Sequence, residues 1–400
     1  MEVYLKKYAE LLVHYCLKLK KGQKFLIVGS TLNHDFIEIV RKIAEKHGCI
    51  VLIEETDWEE KRDLLLHHTF LECLENPIFD RSLYHEIALS KGAVLMLSSP
   101  IPHCNEGVDQ ELLSNLAKEM EKRIALFREY QMKGEIAWCI AAAANELWAK
   151  EILPNSNQPI YDLWNLIFDI CHVTSDYPEK EWDDYLKHLD ARANILNQMN
   201  ITYLHYQSKN GTDLTVELPE DYVFSSANMS SNLVNMPSLE LFATPKKDGV
   251  QGMVKSTKPL LFQNVFIDDF WIRFEHGKVV SFDAREGKEM LQKIIETDEG
   301  SHFLGEIAFV DFDSKINQSG IIFENTLYDE NASCHLALGR GFPECFKDGL
   351  TKSIDELSAM GMNYSETHVD FMMGDRDLDI VASLHDGTEV VLMKQGKLIF

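Results

Sequence analysis

The chain has 400 residues, 45% hydrophobic and 26% charged, an ordinary globular composition and more length than one core comfortably holds, so two domains are expected. Its 39 basic against 64 acidic residues leave a formal charge of −25, which argues against nucleic acid as a partner, since that needs a basic footprint, and against an anionic membrane surface. The eight cysteines are scattered with no CxxC pair, which disfavours a thiolate zinc site or redox motif and reads as reduced thiols in a cytosolic protein.

From the N-terminus, Tyr4, Tyr8, Leu11, Leu12, Tyr15 and Leu19 recur at helical spacing, so an amphipathic helix is expected over 4–19. The same stretch is no secretory signal, because Glu10 and His14 interrupt its apolar run. GQKFLIVGS then reads as a turn and a buried strand. DFIEIVRKIAEKHG reads as a helix with Phe36, Val40 and Ile43 on one face and Gly48 as its stop, and CIVLIEET as a second strand. The order strand–helix–strand, repeated more loosely around GAVLMLSSP (92–100), predicts an open α/β sheet of largely parallel strands. VGSTLNHDF lacks both GxGxxG and GxxxxGK[ST], so it is taken as a plain strand-to-helix turn.

Residues 109–200 read as mostly helical, including ELLSNLAKEMEKRIALF and the run 161–199. The longest purely apolar run, 136–144, falls far short of the ~20 residues that span a bilayer. A cytoplasmic protein is therefore expected. From Ile201 the pattern turns strand-like: ITYLHYQ, TDLTVEL, VFIDDFWIRFEHG, KVVSFDA, GEIAFVDF, HVDFMMG and TEVVLMKQGKLIF. The expected division is an N-terminal α/β domain over 1–200 and a β-rich α+β domain over 201–400 that carries a metal site.

Within 305–374, Glu306, Glu330, His335, His368 and Asp370 recur beside apolar runs. Carboxylates and imidazoles are the ligand types of hydrolytic divalent metals. A buried charge is costly unless paired or metal-bound, and a pair of metal ions is the simplest partner common to all of them. In HVD, side chains two apart share a strand face, so His368 and Asp370 lie side by side with Val369 and Phe371 behind. Alone, that pair reads better as a surface His–Asp contact, and Glu306 better as a solvated strand end. In TLYDENASCHLALG a short helix is expected over CHLALG, capped by Asn331 or Ser333, with His335 in its first turn and Glu330 in the loop before it. Cys334 is set aside as a core thiol. Glu240, flanked by Leu239, Leu241 and Phe242, is a further acid in an apolar setting; the plain alternative is a strand with Glu240 facing solvent.

These segments, NMPSLELFATP, GTDLTVELP, LGEIAFVDF, TLYDENASCHLALG and THVDFMMG, together with LWAKEILP and GQKFLIVG, resemble the metallo-aminopeptidases of the aminopeptidase T and aminopeptidase S type in order and spacing over essentially the whole chain. The resemblance implies a dinuclear site held by Glu240, Glu306, Glu330, His335, His368 and Asp370, with Zn²⁺, Co²⁺ or Mn²⁺ as the two divalent ions per chain. It also implies a homodimer with an enclosed cavity, acting on short peptides. Glu330, on the more pliable loop, is taken as the acid that moves the proton to the leaving amine while also counting as a ligand. Two positions depart from the family pattern. Leu239 stands where the family has a second acid before Glu240, and Phe342 where it has a tyrosine expected to donate to the oxyanion. The rival readings are a metal-binding dimer that has lost ordinary turnover and an amidohydrolase acting on a non-peptide substrate.

Overall fold

The computed structural model describes residues 1–226, 232–263 and 265–400. In chain order the strands are β1 (Lys24–Ser30), β2 (Ile50–Thr56), β3 (Ala93–Ser98), β4 (Ala137–Ala142), β5 (Ile201–Gln207), β6 (Asp213–Glu217), β7 (Asn235–Met236), β8 (Leu241–Ala243) and β9 (Val250–Lys255). They continue with β10 (Leu260–Phe262), β11 (Val265–Glu275), β12 (Lys278–Glu286), β13 (Leu304–Phe309), β14 (His335–Gly339), β15 (His368–Met372), β16 (Asp379–Leu384), β17 (Glu389–Lys394) and β18 (Lys397–Leu398).

The chain divides into two compact units, one built on Met1–Asp183 with Asn228–Ser238 and the other on Asp184–Ala227 with Leu239–Phe400. Where the sequence pattern changes at 200/201, the units part earlier, within the helix Pro178–Gln198, and β7 returns to the first unit. A helix with no internal glycine or proline gives no signal of a boundary inside it, and a two-residue strand is too short to show a period.

The first unit is an open five-stranded sheet in the order β2-β1-β3-β4-β7, parallel throughout. It is the largely parallel α/β sheet expected. Helix His34–His47 buries Phe36, Ile37, Val40 and Ala44 and ends at Gly48, whose φ of +96° lets its N–H turn back to the carbonyls of Ala44 and Glu45. Leu26, Ile87, Val94, Phe127 and Ile136 pack into one apolar cluster of this unit. Two expectations need correction. The first helix is α-helical only over Glu2–Glu10 and continues as a π-helix over Leu11–Cys16. Inside the stretch read as mostly helical, AWCIAA is the strand β4 between β3 and β7. Alanine favours helix in isolation, but burial inside a parallel sheet overrides that weak preference.

The second unit holds a nine-stranded antiparallel sheet, β10-β11-β9-β6-β5-β16-β17-β18 with β12 against β11, and a four-stranded antiparallel sheet, β15-β14-β13-β8. The strands expected over ITYLHYQ, TDLTVEL, VFIDDFWIRFEHG, KVVSFDA, GEIAFVDF and HVDFMMG all form. HLALG does not form the expected helix. It is β14, every residue buried, paired on both sides by β13 and β15. A five-residue apolar run fits a buried strand as well as a helix, and only its neighbours decide between them.

Candidate metal centre

The four-stranded sheet explains why residues so far apart in sequence meet. In an antiparallel pair, directly opposed residues point to the same face. The register sets Glu306 opposite Ala337 and Ala308 opposite His335. It sets Ala337 opposite Asp370 and Gly339 opposite His368, and Ala308 opposite Phe242. With the two-residue period, Glu306, His335, His368 and Asp370 project from one face, and Glu240, two before Phe242, joins them at the start of β8. The small residues Ala308, Ala337 and Gly339 occupy the positions between. At Gly305 the β13–β14 register shifts, so that two steps on β13, from Leu304 to Glu306, match one on β14. Such a bulge re-aims the side chain that follows it.

Glu306 is the hub. Its Oε2 lies 3.0 Å from His368 Nε2 and its Oε1 4.0 Å from His335 Nε2. Glu240 Oε2 lies 3.2 Å from His335 Nε2, and Asp370 Oδ1 3.2 Å from His368 Nε2. Among the described residues, Glu240, Glu306 and His335 form one group whose candidate ligand atoms lie within 4.8 Å of one another, and Glu306, His368 and Asp370 form a second. Glu306 belongs to both.

Both imidazoles are oriented from behind. His368 Nδ1 lies 2.7 Å from the Arg340 carbonyl and His335 Nδ1 3.4 Å from the Ser333 carbonyl. Each ring therefore turns Nε2 toward the carboxylates, the arrangement that backbone carbonyls impose on metal-ligating histidines. Glu240 Oε2 and Asp370 Oδ1 are buried and outside hydrogen-bond geometry with the rings beside them. With Glu330, four carboxylates face two imidazoles. The four negative charges with neutral rings equal the charge of two divalent cations, and a buried excess of this kind is costly without them. The residues present fit a divalent metal.

The charges couple strongly. Burial pushes Glu306 up to about 7, against the pull of His368. Burial and then the Glu240 carboxylate lift Glu330 well above the usual range. Burial alone would lower His335, but the close Glu240 carboxylate and the charges of Glu306 and Asp370 raise it to about 10. His368 is raised in the same way, its burial outweighed by Asp370 and Glu306. Asp370 stays below its ordinary value, because His368 and His335 outweigh its burial.

Glu330 enters from outside the sheet, in the turn Glu330–Ala332 after the short helix Thr326–Asp329. It belongs to neither three-residue group, although Glu240, Asp370 and His335 all act on it. With Asp370 it lines a cavity of about 40 Å³. The adjacent Asn331 accepts from the Leu239 N–H at 2.8 Å and donates to the Leu327 carbonyl at 3.0 Å, so it ties this turn to the segment bearing Glu240. The expected cap role of Asn331 and Ser333 is replaced by this tie, because the helix they would cap is a strand. No residue-type signal in the sequence marks such a tie, nor the carbonyls of Arg340 and Ser333.

Cys334 points elsewhere, its Sγ 3.4 Å from the Val310 carbonyl and 3.7 Å from the Met393 sulfur. Phe342 is at the site: its ring centroid lies 4.8 Å from that of His368 and 5.4 Å from that of Phe242. Tyr328 is buried against Phe323, and Tyr364 is half exposed.

A family model described as thermophilic metalloprotease (M29) matches residues 1–398. Aminopeptidase AmpS of Bacillus subtilis is 35% identical over 404 residues, covering 99% of this chain and 98% of its own length. Aminopeptidase PepS of Streptococcus thermophilus is 33% identical, covering 98% and 97%. The solved structure of wild-type AmpT from Thermus thermophilus superposes with a TM-score of 0.90 at 27% identity over the whole of both chains. A 2,5-dihydroxypyridine dioxygenase from Pseudomonas putida shares the fold alone, with a TM-score of 0.56 at 13% identity over 99% and 96%.

Proposed function

The chain belongs to the thermophilic metalloprotease family, and from that premise we propose that it is a dinuclear metallo-aminopeptidase releasing N-terminal residues from short peptides. The observation that carries this reading is the pair of three-residue groups sharing Glu306, whose two oxygens face two different imidazoles. In this reading Glu240, Glu306, Glu330, His335, His368 and Asp370 would together hold the divalent ions, Glu306 being common to both three-residue groups. Zn²⁺, Co²⁺ and Mn²⁺ all suit such a donor set. Divalent ions held there supply Lewis acidity toward a carbonyl oxygen and toward water.

The remaining work falls to the chain. Glu330, outside both groups and lining the cavity, takes the proton from the attacking water and passes it to the departing amine. An acidic residue beside the ions pairs with the ammonium of a free N-terminus. The Phe342 ring beside His368 offers no hydrogen-bond donor to the oxyanion, which favours slow turnover as the second reading. The proposal extends to a cytoplasmic homodimer. Among the described residues no two of the eight cysteines form a disulfide, and no described helix is long and apolar enough to cross a membrane.

The test is a panel of dipeptides and aminoacyl amides, each with and without N-acetylation, given to protein reconstituted with Zn²⁺, Co²⁺ or Mn²⁺. Free-amine substrates are expected to be trimmed and acetylated ones to resist. Equal rates on both would replace the aminopeptidase with a general amidase, and no cleavage of either would leave the metal-binding dimer.

A further inference from the structure

Four residues of the metal centre stand on paired strands, Glu306 on β13, His335 on β14, and His368 and Asp370 on β15. Cross-strand register fixes where those four point. Glu330 has no such support. It lies outside every strand, in the turn Glu330–Ala332 between the four-residue helix Thr326–Asp329 and β14. Among the described residues its carboxylate has one hydrogen-bond partner, Asn331 Nδ2, 3.4 Å from Oε1. At that length the contact is a long one, which aims the carboxylate while leaving it able to move.

Asn331 is fully buried, and its side chain is itself held. Its Oδ1 accepts from the Leu239 N–H at 2.8 Å, and its Nδ2 donates to the Leu327 carbonyl at 3.0 Å. Leu239 is held on its other side too, its carbonyl accepting from the Tyr185 hydroxyl at 3.2 Å. An asparagine amide carries one acceptor oxygen and two N–H donors. Here the oxygen meets an N–H and the nitrogen meets a carbonyl, so the partners fix which way the group is turned. A tie that served the turn alone would need one acceptor and one donor. The second donor is spent on Glu330. Aspartate has the same shape, but it would offer the acceptor alone and would repel the neighbouring carboxylate.

We propose that Asn331 is a positioning residue for Glu330, aiming at the metal centre a carboxylate that the sheet does not hold. Its effect on turnover rests on the reading above, in which Glu330 carries the proton.

The experiment is a double-mutant cycle of Asn331→Asp with Glu330→Gln, read in two ways. Asn331→Asp keeps the shape and the bond to Leu239 and removes the donor to Glu330. In the first readout, Co²⁺-loaded protein is titrated with a chelator of known affinity and followed by visible absorption. Asn331→Asp is expected to weaken Co²⁺ binding about 10- to 100-fold, the range carried by groups that orient metal ligands. Once Glu330 is Gln, the same change is expected to cost less than about threefold. In the second readout, alanyl-alanine amide is the substrate. Asn331→Asp is expected to lower kcat about 10- to 100-fold with KM within about threefold, and to change neither in the Glu330→Gln protein.

Coupling in either readout supports the assignment. Losses of the same size in both backgrounds, or no loss at all, in both readouts would overturn it. A wild type that cleaves no peptide ends the hydrolase reading, and the Co²⁺ cycle then decides Asn331 by itself. Should Asn331→Asp not fold, Asn331→Ala, which adds no charge, takes its place in both cycles under the same criteria.

Discussion

Phe342 is the residue that most separates this chain from the pattern it resembles, and the structure sets its ring 4.8 Å from His368. Phe342→Tyr is nearly isosteric and adds a donor whose bond forms chiefly in the transition state. The expected outcome in steady-state kinetics is a turnover number raised about tenfold or more with KM within a few-fold, since one oxyanion donor is worth about 10²–10³. A variant no faster than wild type would remove Phe342 from the account. Metal retention tests the ligands one at a time. By elemental analysis, His368→Ala and Glu306→Ala are expected to lose metal and Cys334→Ala, whose sulfur faces Val310 and Met393, to keep it. Protonation is linked to the same residues. In the metal-free protein His335 is held up to about 10 from an ordinary 6.5. Its contribution to stability is complete below pH 6.5 and is lost as pH rises through about 10. The melting temperature of metal-free protein is therefore expected to fall from pH 7 to pH 10. Loading metal at pH 7 is expected to release protons, because a metal takes the neutral ring. Calorimetry in buffers of different ionisation enthalpy reads that release, and a proton count of zero would refute the linkage.

At the scale of elements, aim is set by strand register. Gly305 is the irregular residue of β13, and a Cβ there would lie 2.3 Å from the Arg340 carbonyl oxygen and 2.4 Å from that of Gly339. Backbone cannot yield as a flexible side chain does, so Gly305→Ala must shift β13 against β14 and turn Glu306, the next residue. The expected result is a loss of about 1–3 kcal/mol in denaturant unfolding together with weakened metal retention. Gly387, with φ +85° and nothing within 4 Å of an added Cβ, is the control. Gly387→Ala carries backbone strain in the turn between β16 and β17, which belong to the other sheet, and its metal content is expected to match wild type. Metal loss in both variants alike would show general destabilisation rather than lost aim.

For the molecule as a whole, four carboxylates gathered in a buried site of a chain carrying −25 oppose folding unless cations join them. Removal of metal by a chelator is expected to lower the melting temperature in scanning fluorimetry, and added Zn²⁺, Co²⁺ or Mn²⁺ to restore it in a concentration-dependent way. A ligand at a hundred times its dissociation constant contributes about 2.7 kcal/mol by mass action. An unchanged melting curve on chelation and re-addition would mean that the carboxylates are satisfied by protons alone.

Residue types and periods alone determined a good deal. The alternation in GEIAFVDF and HVDFMMG carries strand geometry within itself, so β13, β15 and the shared face of His368 and Asp370 were readable without neighbours. The parallel first sheet was likewise legible from the strand–helix–strand order, and Glu240, Glu306 and His335 from the oddity of charge in apolar runs. Whether HLALG or AWCIAA is helix or strand was not readable, because short apolar runs satisfy both periods and only the strands on either side settle the matter. The limits of the compact units were hidden for a related reason, since an uninterrupted helix carries no mark where one unit ends. Which charges meet was decided by the tertiary structure alone. Cross-strand register fixes which residues oppose one another, and register depends on pairings and a bulge at Gly305 that no local pattern encodes. The carbonyls that orient the two imidazoles and the Asn331 tie belong to that same level, since backbone groups look alike in sequence and their partners are visible only in space.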